Sequence, residues 1–82
     1  MEETENLDLF GEKVEKFGKL ATQKGFRKDE IIKPACILAC SEQMETNYGD
    51  ELKAMDKIIE LCEQIDDEEV FLQKVLLLAG ID

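Results

Sequence analysis

Apolar residues recur at helical spacing along nearly the whole chain, and the pattern is densest at its end. Val70 to Ile81 reads VFLQKVLLLAGI, with Gln73 and Lys74 as its strongly polar members and an unbroken apolar run from Val75 to Ala79. At 100° per residue, Phe71, Leu72, Val75, Leu76, Leu78 and Ala79 share one broad face. Val70 and Leu77 fall on the other side, beside Gln73 and Lys74. A surface helix of a small bundle buries one stripe, so this segment has more apolar surface than one core needs. It is predicted to be a central helix or half of an interface.

Three further helices are predicted ahead of it. Leu7, Phe10, Val14, Phe17 and Ala21 recur at threes and fours, widened by Leu9 and Leu20, behind an N-cap at Asn6. Glu12–Lys16 and Glu15–Lys19 are i,i+4 pairs in the favoured order. Gly11 and Gly18, seven apart at the edge of that face, suggest either a smooth groove for a second helix or simple tolerance. Gly25 ends the helix, with Phe26 as its trailing contact. A short turn over FRKDEIIKP then leads to a second helix with Pro34 near its start, running to about Thr46. Cys36, Ile37, Cys40, Met44 and Tyr48 form its predicted main face, Ala35 and Ala39 lie beside it, and Leu38 lies off it.

Asn47 to Asp50 is turn chemistry, and Asp50 or Asn47 caps a third helix through about Gln64. Leu52, Ala54, Met55, Ile58, Ile59, Leu61, Cys62 and Ile65 occupy one half of its wheel, and charged residues the other, apart from Glu51. Asp66, with Glu69 three residues on, imitates a capping box, and Ile65 and Val70 form its apolar staple. Gly80-Ile81 predicts a Schellman-type finish. No run alternates with period two. The expected fold is therefore all-α, a small bundle of four helices: three amphipathic ones and a strongly apolar C-terminal one. Residues 1–5 are assigned to a mobile acidic tail and 6–82 to a single helical-bundle domain.

Composition narrows the function classes. The apolar fraction of 44% with one Pro is globular rather than disordered. The longest apolar runs are too short to span a bilayer, so no membrane insertion is expected. The acidic N-terminus shows no secretory signal, and three cysteines fit a reducing compartment better than a disulfide framework, which points to the cytoplasm.

The net charge of −10 is unevenly spread: residues 1–12 hold −5, residues 13–33 hold +4 and residues 34–82 hold −9. That balance argues against direct nucleic-acid binding.

Chemistry finds little support. Without histidine, the commonest general base and metal ligand is missing, and no catalytic residue is assigned. Cys36 and Cys40 lie one helical turn apart, and Cys62 is placed to meet them across a helix pair, but the spacing is not that of a zinc knuckle. Core packing accounts for them better. Asp66 to Glu69 lacks the alternating ligands and central glycine of a calcium loop. Cys40-Ser41-Glu42, read as mid-helix, does not resemble the attachment site of acyl carrier proteins. No cofactor or metal is expected.

The surplus apolar residues remain. Val70, Leu77 and Leu38, with Gln73 and Lys74 between or beside them, are the candidate partner-binding residues. The expectation is a small non-enzymatic regulator that docks an unidentified protein partner through an apolar helix face, as an adaptor, assembly factor or inhibitor. Compact acidic proteins of this kind suit viruses and mobile elements. Two alternatives stay open: an acidic nucleic-acid mimic that blocks a nucleic-acid-binding protein, and a self-associating structural subunit in the form of a homodimer.

Overall fold

The computed structural model describes residues 2–80, with side chains from Leu9 onward except that of Lys28. It contains five α-helices: α1 (Glu2–Gln23), α2 (Lys33–Ala39), α3 (Glu42–Tyr48), α4 (Glu51–Gln64) and α5 (Glu68–Leu78). A single π turn, Lys28–Ile32, runs directly into α2. No strand occurs among the described residues. α1 and α4 form the most extensive helix pair, with the π turn packed on α1 and α2 packed on α4. α3 closes on α4, and α5 lies over α2 and α4.

The all-α expectation holds, but the count is five rather than four, and the difference comes from one residue. The predicted second helix is two. Cys40 ends α2 with φ −88° and ψ 2°, and Ser41 then turns to extended backbone at ψ 149°. Serine competes well for backbone groups at a helix start. The Met44 amide donates to Ser41 Oγ at 3.3 Å, so Ser41 is the N-cap of α3 and not a mid-helix residue.

This break also corrects the face assignment. Ile31, Ile32, Ala35 and Ala39 are the buried residues before it, and Met44 the buried one after it. Ile37 and Cys40, predicted to face inward, point to solvent, with Ile37 71% exposed. A helix this short is oriented by its anchors at either end. The two isoleucines of the π turn and the two small alanines set that orientation here.

Elsewhere the helix ends follow the pattern closely. α1 finishes in a Schellman motif: the Gly25 amide donates to Thr22 O at 3.1 Å and the Phe26 amide to Ala21 O at 2.9 Å. Gly25 has φ +82°, and Phe26 is buried as the trailing contact. The start of α1 differs, since the helix begins at Glu2 rather than at an Asn6 cap. An acidic leading sequence is compatible with the positive end of a helix dipole. Asp50 caps α4, accepting from the Lys53 amide at 2.8 Å. Asn47 instead donates through Nδ2 to Leu78 O at 3.3 Å, tying α3 to the end of α5.

The cap of α5 is displaced by one residue from the prediction. Asp67, not Asp66, accepts from the amides of Glu69 (2.9 Å) and Val70 (3.1 Å). Asp66 is drawn away by Lys24, whose Nζ lies 3.0 Å from its Oδ1. The same ammonium donates to the carbonyls of Glu63 and Ile65, each at 3.0 Å, and to that of Cys62. Lys24 therefore satisfies the open carbonyl end of α4, where a cation is also favoured by the helix dipole.

The core is one apolar cluster, and no polar residue is buried in it among the described residues. Phe71 of α5 sits at its centre, with its ring 5.7 Å from those of both Phe17 and Phe26. On α4, Ala54, Met55, Ile58, Ile59 and Cys62 are buried, and Leu52, Leu61 and Ile65 are half-buried, as its wheel predicts. Leu20 packs against the cluster as expected, whereas Leu9 does not join it and is 45% exposed.

Candidate interaction surface

α5 is the element on which most of the candidate residues lie. Its inward side is set by Phe71, Val75 and Ala79, all buried at spacings of four, with Leu72 and Leu78 packed at their flanks. The opposite side carries Leu77, 60% exposed, and Val70, 42% exposed. These two are seven residues apart, hence one above the other on the helix by about 10 Å. Gln73 and Lys74, both exposed, lie between them. Four of the five predicted site residues thus share one solvent-facing surface.

Leu38 does not belong to it in the same way. It is half-buried and packs against the core from α2, while its neighbour Ile37 is an exposed apolar side chain of that helix. Sequence reasoning missed Ile37 because one continuous helix through Cys40 and Ser41 places it on the inner face. The signal that locates it is Ser41 as a cap, which makes the two halves of ACILAC-SEQM independent helices.

One of the two glycines inside α1, Gly18, borders a second surface feature. An open groove of about 600 Å³ runs along Val14, Gly18 and Thr22, floored by Ile32 and rimmed by Glu15, Lys19 and Gln23. A Cβ on Gly18 would stand 3.6 Å from Ile32 Cδ1, which is ordinary contact, and one on Gly11 would meet nothing within 4 Å. The helix that approaches Gly18 is the chain's own π turn, and it does not require the glycine. Of the two ion pairs predicted on α1, Glu15–Lys19 forms at 3.6 Å. Glu12–Lys16 is not within pairing distance among the described residues.

The three thiols are free, and they divide by place. Cys36 and Cys40 neighbour each other on α2, where burial raises the Cys36 thiol pKa and the Cys40 thiol adds to the shift. Burial, with the carboxylates of Glu51 and Glu45, likewise raises that of Cys40. Cys62 is sealed in the core. Its burial raises the thiol pKa, opposed by Lys24 and assisted by Glu63. Every shift favours the neutral, unreactive thiol. No group of three or more metal-ligating side chains converges among the described residues. No described helix is long and apolar enough to cross a membrane.

Fold and surface together define a class: an all-helical bundle whose C-terminal helix is apolar on two sides, one spent on the core and one facing outward. Compared with known protein families, curated proteins and solved structures, the chain matches none of them.

Proposed function

We propose that this chain is a small protein-binding regulator, an adaptor, assembly factor or inhibitor, that docks its partner on the outward stripe of α5. The observation that supports this reading is the exposure of Leu77 and Val70 on one helical line above a core that is complete without them. Scattered single apolar residues are ordinary on protein surfaces; two aligned on one line of a helix form a short strip. Covering Leu77 alone would contribute roughly 1.5–2 kcal/mol at about 25 cal/mol per Å². The strip matches the helix-in-groove mode of recognition, in which residues at i and i+7 act as anchors.

The test is a comparative pull-down from native lysate, read by mass spectrometry. Leu77→Glu should lose a specific prey that wild type retains. Ile37→Glu, which changes a residue of similar exposure on α2, should keep it. Circular dichroism of both variants should show an unchanged helical spectrum, because neither side chain supports the core. Retention of every prey by folded Leu77→Glu would remove α5 as the docking surface.

A further inference from the structure

Cysteine is among the residue types most often buried, and core packing accounts for Cys62. It does not account for the other two thiols. Cys36 lies half-buried within α2, and Cys40 is the exposed C-cap of that helix. The Cys40 amide donates to the carbonyls of Cys36 and Ile37, each at 3.2 Å, so the turn between the two cysteines is closed and their side chains are neighbours on it. The Cys40 thiol also donates to Glu51 Oε2 of α4 at 3.8 Å. Glu45 of α3 lies near enough to act on the same thiol. Two sulfurs and two carboxylates, drawn from three helices, thus meet at the end of α2.

Spacing decides what such a pair of thiols can do. Cβ atoms four residues apart on a helix stand ~5–6 Å from each other. A disulfide brings them to ~3.8 Å, so oxidation of this pair requires α2 to unwind. Zinc and iron–sulfur centres take more ligands, and no group of three or more ligating side chains converges among the described residues. One ion held between two thiolates sets the sulfurs about twice a metal–sulfur bond apart, roughly 4.6 Å at ~2.3 Å for each bond. Rotation about χ1 reaches that span from neighbouring turns of one helix with the backbone in place. Two soft sulfur ligands alone select a soft monovalent ion, copper(I).

We propose that Cys36 and Cys40 form a two-sulfur site for copper(I), with Glu51 accepting the Cys40 proton as the ion enters. Each thiol exchanges its S–H bond for an S–Cu bond. Two protons pass to solvent, the Cys40 proton by way of Glu51; copper stays in its +1 state and no electron is transferred. Without the ion, burial and the nearby carboxylates hold the Cys40 thiol neutral, and burial does the same for Cys36. A bound cation reverses that balance, because Glu45 and Glu51 attract it. Cys36 packs against the core and fixes one sulfur, while exposed Cys40 admits the ion from solvent.

The probe is copper(I) itself, added without oxygen to the reduced full chain in competition with a coloured copper(I) chelator, whose absorbance reports the ion that the protein removes. Wild type should take one ion per chain, and X-ray absorption should show two sulfur neighbours. Cys40→Ser, at an exposed position, should lower the affinity by more than about a hundredfold, and Glu51→Gln by about tenfold with the stoichiometry kept. Cys62→Ala should bind as wild type does, and circular dichroism should show all three variants helical. Failure to compete with the chelator, one ion shared between two chains, uptake that survives Cys40→Ser, or uptake lost in folded Cys62→Ala overturns the site. Full affinity in Glu51→Gln overturns the role given to that carboxylate.

Discussion

Two residues on α5, six positions apart, show how differently the same helix treats its apolar side chains. Phe71 is fully buried beside the rings of Phe17 and Phe26, so its loss leaves a cavity next to α1 and the segment after it. Phe71→Ala should cost about 3–5 kcal/mol, much of the roughly 5–15 kcal/mol that a domain has in total. Leu77→Ala should change stability by no more than about 0.5 kcal/mol. Urea midpoints of the two variants measure the contrast. If Leu77→Ala proves as damaging as Phe71→Ala, α5 does not sit as described. Cys62 adds a pH dependence. Its folded pKa is raised, so its contribution to stability is fully present below the ordinary thiol pKa of about 8.5 and is lost as pH rises through the folded value. Denaturant midpoints that fall above about pH 9 in wild type, but fall less in Cys62→Ala, are the expected result. Cys40, exposed on α2, should be the first thiol modified by an alkylating reagent, and Cys62 should react only on unfolding.

At the scale of elements, caps decide where helices begin, and neighbouring elements decide which of two candidate caps is used. Asp66 and Asp67 are equivalent by local sequence, and both precede a hydrophobic run. Lys24, arriving from the end of α1, engages Asp66 and leaves Asp67 to accept the amides of α5. Asp67→Ala should therefore cost about 1 kcal/mol, and Asp66→Ala, at an exposed ion pair, no more than about 0.5 kcal/mol. The reverse order in thermal melts would restore the sequence-based assignment. Ser41 acts similarly, since its cap separates α2 from α3 and turns Ile37 outward. Lys24→Met should be worse than either aspartate variant, because it opens the carbonyl end of α4 at a half-buried position.

For the whole molecule, the relevant quantity is the division between charge and apolar area. The basic block is partly consumed inside the fold, with Lys13 and Lys24 both spanning to acids of the second half. What remains outward on α5 sets Val70 and Leu77 beside Glu69, Gln73 and Lys74. Partner capture through that stripe should change little between about 50 and about 200 mM salt, whereas an acidic mimic of nucleic acid would lose its partner steeply over the same range. A steep loss in a salt series of the pull-down would move the functional reading to the acidic face.

The periodicity of apolar positions was enough to establish that the chain is helical, that α4 has one buried half, that α5 is apolar on two sides, and that Gly25 ends α1. These are properties of a single helix and its neighbours in sequence, which local steric and solvation rules govern. Which residues cap, which way α2 faces, and which groups Lys24 engages were decided only when helices distant in the chain came together. Each of those outcomes is a competition between groups that become neighbours through packing, and spacing along one helix carries no record of it.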